Sequence, residues 1–286
     1  MEARFQRQHE LIKATGDAPI TPGDIEEALS SAGVRQGETL MLHASLSRIG
    51  WIVGGVQTLI DSILSRLGPR GLLAMPAHSN DLSDPANWEN PPVPETWVRV
   101  IRDHMPPYDP GRSPALRLGM AAEYFRSLPG VVRSAHPHYS LAALGPEAED
   151  LTANHALDFS MSDSSPYGRL YAKNSRILLF GVGYENCTLL HVAEYLAHWP
   201  GKQEEAYRAP VERRGGKTVW KEYRDFNFDT DDFPEIGKAF EAAHPQAFAR
   251  VKLGLGEILL IESRMLVDFA VTWMESHRRD EGNPSG

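Results

Sequence analysis

Two residues three apart, His191 and Glu194 in TLLHVAEYLAH, could do chemistry together, because an imidazole near a helix N-terminus tends to be neutral and able to take a proton. On a helix they lie about 60° apart around the axis and share a face with Tyr195 and His198, while Leu189, Val192, Ala193 and Leu196 turn inward. The apolar run RILLFGVG precedes them and predicts a buried strand. His191 then falls in the first turn of a helix at the carboxyl end of a sheet, where open α/β folds bind ligands. The competing reading is a surface His beside a surface Glu on an amphipathic helix.

His43 has a similar address, closing the run TLMLH just before ASLSRIGWIVGG. It can act at a site or simply cap a strand end. Ser45, Ser47, Gly50, Gly54 and Gly55 lead into a helix and expose backbone N–H groups that can hold a phosphate or an oxyanion, although the pattern is neither a Walker nor a dinucleotide motif. The cluster Arg133-Ser134-Ala135-His136-Pro137-His138 puts two imidazoles on one side of an extended segment. A metal could use that pair, or Arg and His could satisfy loop carbonyls. Cys187 lies four before His191, so a Cys–His acyl-transfer pair is conceivable; a lone thiol is more often a small buried hydrophobe.

The elements that must position these residues alternate between strand and helix. Thr21-Pro22 opens a helix that Gly33 closes, Thr39–His43 reads as a strand, and Gly54-Gly55 opens a helix striped by Val56, Leu59, Ile60, Ile63, Leu64 and Leu67. Leu72–Pro76 is the next strand, which makes a βαβ unit and a partly parallel sheet. Residues 79–114 are rich in Pro, Trp and Asp and read as a long substrate loop. Helices are expected over 120–128 and 146–153, and strands over 139–144 and 176–183. A helix capped by Thr188 should reach about His198. Lys217–Phe228 alternates like an antiparallel hairpin or edge strand, 258–262 and 265–277 suggest a last strand and helix, and Arg278–Gly286 reads as a frayed tail. The simplest parse is one catalytic domain over 1–286, ordered over about 20–277, with 79–114 and 202–235 inserted on the substrate side.

The 286 residues carry 29 Lys and Arg against 38 Asp and Glu, a net charge of −9 that argues against nucleic acid or an anionic membrane as partner. No run approaches a membrane span, the polar N-terminus lacks a signal-peptide core, and the single cysteine excludes an internal disulfide framework, so a cytoplasmic protein is expected. Three stretches hold acids and no base: 77–97, 134–168 and 225–235. Each alone reads as a solvated loop. Together, with Trp88, Trp97, Phe226 and Phe228 among them, they raise the prospect of a cation-binding rim.

Seven ordered blocks then carry a resemblance: HASLSRIGWIVGG, MPAHS, PPYDPGRSP, RSAHPHYSLAALGPEAEDL, SSPYGRL, ILLFGVG with TLLHVAEYLA, and VKLGLGE before a late helix. In that order, from about Ile20 to His277, the chain resembles the aminoglycoside 3-N-acetyltransferase family. The resemblance implies an α/β fold with a central mixed, partly parallel sheet covered by helices on both faces, unrelated to the common small N-acetyltransferase fold. It implies acetyl transfer from acetyl-coenzyme A to the 3-amino group of a 2-deoxystreptamine aminoglycoside, and hence antibiotic resistance, without a metal. It makes His191 the base, Glu194 its orienting carboxylate and His43 a second histidine near the reacting centre. It places coenzyme A against Ser45, Leu46, Ser47, Ile49, Gly50, Arg112, Ser113, Arg133, Ser134 and His136. Asp81, Trp88, Asp163, Asp225 and Asn227 are the expected substrate contacts, Asp163 and Asp225 foremost. The partner is then a cationic aminoglycoside, with the chain a monomer or homodimer. Two other readings stand beside this one: a metal-dependent amidohydrolase using residues 136, 138, 191 and 194, and a non-catalytic aminoglycoside-binding protein.

Overall fold

The computed structural model describes residues 2–279. Helices α1 (Glu2–Thr15) and α2 (Pro22–Ala32) come first. Thr21 and Asp24 cap α2 reciprocally, and Gly33 ends it in the left-handed conformation (φ 87°) that glycine adopts without strain. Strand β1 (Thr39–Ala44) follows, then the single turn α3 (Leu46–Ile49), helix α4 (Val56–Leu67) and strand β2 (Leu72–Pro76). Next come α5 (Glu95–His104), α6 (Gly119–Arg126), the short pair β3 (Val132–Arg133) and β4 (Leu141–Leu144), α7 (Ala148–Thr152), α8 (Pro166–Ala172) and β5 (Arg176–Phe180). The last third holds α9 (Leu190–Leu196), the hairpin β6 (Glu204–Arg214) and β7 (Lys217–Phe226), α10 (Phe233–Ala243), β8 (Phe248–Leu253), β9 (Gly256–Glu262) and α11 (Ser263–His277).

Seven strands form one sheet in the order β3-β4-β2-β1-β5-β9-β8. Its centre, β2-β1-β5, is parallel, and β4 and β9 flank it antiparallel. A βαβ crossover joins β1 to β2 as the sequence pattern expects, and the mixed sheet follows from hairpin-like returns at both edges. Successive side chains of each strand alternate between two cores. Leu40, Leu42, Leu73, Met75, Leu178 and Phe180 pack with α2, α4 and α6. Met41, Ala74, Ile177, Leu179 and Ile261 pack on the other face with α8, α9, α10 and α11. Helices therefore cover both faces. The hairpin β6–β7 stands apart from the sheet and is tied to α5 by the Trp220 indole N–H, which donates to the Arg102 carbonyl at 2.8 Å. No helix of the described residues is long and apolar enough to cross a membrane.

Several elements depart from expectation. The 79–114 segment holds α5, whose apolar Trp97, Val100 and Ile101 recur at helical spacing but are hidden between proline-rich flanks. Thr188 does not cap α9. That helix starts at Leu190, runs only to Leu196, and takes from Thr188 a carbonyl that accepts from the His191 N–H. A 3₁₀ turn over Tyr184–Asn186 uses up the chain where a longer helix would have begun. The tail is not loose from its first residue, because Arg278 is anchored; residues 280–286, expected to fray, lie outside the described residues. Helix α1 also extends order upstream of Ile20.

Candidate active site

The carboxyl ends of the three parallel strands deliver three histidines to one cavity of about 280 Å³. His43 closes β1 and His78 follows β2 by two residues. His191 comes from α9, after β5. Burial depresses both strand-end imidazoles to about 3, with repulsion from His191 adding to the effect, so each is neutral. His78 Nε2 is hydrogen-bonded to the Tyr167 hydroxyl at 2.8 Å. His43 Nε2 is buried with no partner among the described residues. His78 escaped the sequence reading, although its place just past a parallel strand matches that of His43.

His191 and Glu194 are not the surface pair that an amphipathic helix allows. Glu194 is 1% exposed, and its Oε2 lies 2.5 Å from His191 Nδ1. Nδ1 faces the carboxylate, which leaves Nε2 as the ring nitrogen free of it. Phe228 and Phe233 hold the ring, their centroids 4.6 and 5.0 Å from it. The other Glu194 oxygen accepts from Arg278 Nη1 at 2.6 Å and from the Asp229 N–H at 3.1 Å. Cys187 lines the same cavity, but burial pushes its thiol up to about 12, so it supplies no thiolate at neutral pH. Arg117, Glu185, Asn186 and Thr188 complete the polar lining.

A second cavity, of about 600 Å³, adjoins the first and shares Ala44 with it as a wall. Ser45, Leu46, Ser47 and Gly50 line it, and Leu11 of α1 and Met120 of α6 cover it. Gly54 and Gly55 both have positive φ (74° and 62°), which lets the chain turn sharply into α4 along this wall.

Other expected contacts have different work. Ile49 is a core residue, fully buried against Gly181. Arg133 is buried and donates to the Ser113 and Pro110 carbonyls (2.5 and 3.3 Å), the Ser79 and Ser140 hydroxyls (2.8 and 3.0 Å) and the Ala77 carbonyl, so it ties loops together and leaves no donor for a phosphate. Ser134 Oγ accepts from the Leu141 N–H and is bonded to His155. His136 is fully buried; its Nδ1 accepts from the His138 and Tyr139 N–H groups and its Nε2 donates to the Leu157 carbonyl. Ser113 Oγ accepts from the Asp109 N–H, and Arg112 is exposed away from the second cavity's lining. His138 spends its ring nitrogens on the Tyr223 hydroxyl and the Leu82 carbonyl. The 136/138/191/194 ligand set is therefore not assembled, and among the described residues no three His, Cys, Asp or Glu side chains are grouped as a metal site.

The side chains expected to contact substrate do not line the His191 cavity either. Asp81 is paired with Arg117 at 2.5 Å. Trp88 donates its indole N–H to Ser83 Oγ, and Asp163 is exposed without lining the cavity. Asp225 is fully buried, its oxygens taken by Ser160, Tyr195 and the Phe226 N–H. Asn227 lines a separate basin of about 730 Å³ with Asp229, Asp231, Asp232 and Glu235. Among the described residues Glu185 is the acidic side chain lining the three-histidine cavity.

Comparison with known proteins decides the family. Residues 41–275 match the family model described as aminoglycoside 3-N-acetyltransferase. The chain belongs to the aminoglycoside 3-N-acetyltransferase family. As a member of it, the protein is an acyltransferase. It is similar to the prophage-derived aminoglycoside N(3')-acetyltransferase-like protein YokD of Bacillus subtilis, 39% identical over 89% of this chain and 92% of that one. The YokD crystal structure superposes with a TM-score of 0.88, covering 96% of this chain and 99% of that one at 37% identity. It is also similar to aminoglycoside N(3)-acetyltransferase VII of Streptomyces paromomycinus, 36% identical over 96% of this chain and 98% of that one. Two further solved structures, AAC-IIIb with CoASH and AAC-VIa bound to sisomicin, each reach a TM-score of 0.79 at 30% identity, covering 93% and 91% of this chain and 100% and 99% of theirs.

Proposed function

We propose that this enzyme transfers acetyl from acetyl-coenzyme A to the 3-amino group of a deoxystreptamine aminoglycoside by direct attack, with His191 as general base. The observation that carries the reading is the meeting of two cavities at Ala44, one walled by the Ser45–Gly50 turn and the other by the His191–Glu194 pair. Related structures with CoASH and with sisomicin support the two ligand classes. Bound acetyl-coenzyme A would supply the acetyl group as an activated thioester. The larger cavity fits a pantetheine arm, and Arg48, exposed on α3 next to the lining residue Ser47 in the chain, is the candidate for the phosphates.

His191 Nε2 accepts the proton of the attacking amine while Glu194 fixes the ring and stabilises the charge it acquires. The orphaned His43 Nε2 is the kind of atom that a bound acyl oxygen satisfies, together with backbone N–H groups of the Ser45–Gly50 turn. Glu185 is the carboxylate placed to bind a substrate ammonium. The test is thiol release from acetyl-coenzyme A across a panel of aminoglycosides. His191→Ala should lower kcat by about 10²–10⁴-fold while acetyl-coenzyme A still binds. Turnover near wild type in that variant would sink the reading.

A further inference from the structure

The first residue past α11 reaches back to the catalytic pair. Arg278 is only 10% exposed, and its Nη1 donates to Glu194 Oε1 at 2.6 Å. The guanidinium is itself fixed: Nε and Nη2 fork onto Asp232 at 2.7 and 2.8 Å, Nη2 also donates to the Asp229 carbonyl at 3.1 Å, and the group lies 4.9 Å from the Trp199 ring centroid. The other donor to that oxygen is the Asp229 N–H at 3.1 Å, so Arg278 supplies the shorter bond and the charged one, from outside the helix that carries both His191 and Glu194. The neighbouring cation Lys202 donates instead to the Tyr195 and Ala197 carbonyls.

We infer that Arg278 is a positioning residue for acetyl transfer, acting through Glu194 on His191; this rests on the His191–Glu194 reading above. Its fork onto Asp232 fixes one carboxylate oxygen of Glu194 and thereby aims the other at His191 Nδ1. It also gives the buried carboxylate a permanent counter-charge. The alternative is a staple that only fastens the end of α11 to the 229–235 segment.

Steady-state acetyl transfer by R278A, R278K, E194Q and the E194Q/R278A double variant separates the two. If Arg278 acts through Glu194, R278A lowers kcat by about 10–100-fold, the usual cost of losing a group that orients a catalytic one. KM for both substrates then stays within about two-fold. R278K keeps more activity than R278A, and added guanidinium ion restores part of the R278A loss but none in H191A. On the E194Q background R278A costs nothing more, because the group it acts through is already gone. Wild-type kcat in R278A, or an equal further loss on top of E194Q, overturns the inference. Should R278A not fold, R278K with wild-type kcat and a lowered thermal midpoint marks a staple and overturns it as well. Loss of activity in H191A with a silent R278A refutes this inference alone, whereas an active H191A refutes the parent reading.

Discussion

Replacing Asp225 with Asn should unsettle the fold far more than substrate binding. Ser160 donates its N–H (3.2 Å) and hydroxyl (2.6 Å) to one Asp225 oxygen, and Phe226 N–H (2.9 Å) and the Tyr195 hydroxyl donate to the other. The residue thus ties the end of β7 to the Ser160 loop and to α9, the helix that carries His191. Asparagine keeps the shape but turns one acceptor into a donor. In one orientation the Ser160 N–H faces an amide NH₂; in the other the Tyr195 hydroxyl and Phe226 N–H do. A buried donor left without its acceptor costs about 1–3 kcal/mol. At about 2–4 °C per kcal/mol for a chain of this size, the midpoint should fall by about 2–12 °C. Burial raises the Asp225 pKa, because the buried charge is disfavoured, and its hydrogen bonds only partly offset that. Losing the charge therefore offsets part of the lost bonding, and the lower half of the range is the expected result. Thermal unfolding and aminoglycoside KM, measured on the same preparation, decide the matter. An unchanged midpoint with a KM raised about ten-fold, some 1.4 kcal/mol of binding, would place the carboxylate on the substrate and refute the reasoning.

Three further outcomes are expected. Glu185→Gln should raise aminoglycoside KM by about two- to ten-fold, less at high salt because this side chain is exposed and screened; an unchanged KM at low salt would remove it from the substrate site. Cys187→Ser should leave kcat within about two-fold, since a buried thiol raised to about 12 is no nucleophile, and loss of turnover with a normal fold would revive an acyl-enzyme. The native values of His43 (about 3), His78 (about 3) and His155 (about 4) lie below the ordinary 6.5, so the stability they hold is full above about 6.5 and is lost as pH falls towards 3–4. Denaturant unfolding at pH 7.5 and 5 should show it, each imidazole contributing up to about 1.4 kcal/mol per pH unit; equal stabilities would contradict their burial as neutral rings.

What the sequence made legible follows its strongest periodicities. TLMLH, LLAMP and RILLFGVG are short apolar runs that read as buried strands, and they place His43 and His191 at carboxyl ends of the sheet. The reciprocal cap of α2 is likewise a local signal. Side chains whose partners are remote were not legible. Arg133 and His136 look like ligand-binding groups until Ala77, Ser113 and Leu157 fold around them, 56, 20 and 21 residues away. Asp225 looks like a surface acid until Ser160 and Tyr195 enclose it. Arg278 sits in a polar tail whose composition suggests fraying, and only the return of α11 beside α9 shows its use.

The parallel pairing of β1 with β5 also bears on how the enzyme comes to life. Leu40 lies opposite Arg176 and His43 opposite Leu179, partners 136 residues apart in the chain. Closing so long a loop is an entropic barrier met before any reward from the contact, so this seam is expected to zip late in folding. His43 and the strand leading to His191 stand on the two sides of that seam, and His78 stands on the next strand over. A partly folded chain can hold α2, α4 and the β1–β2 unit without any two of those imidazoles on β1 and after β5 being neighbours. Regained activity during refolding should therefore appear only with the final cooperative step, which makes turnover a direct reporter of global folding.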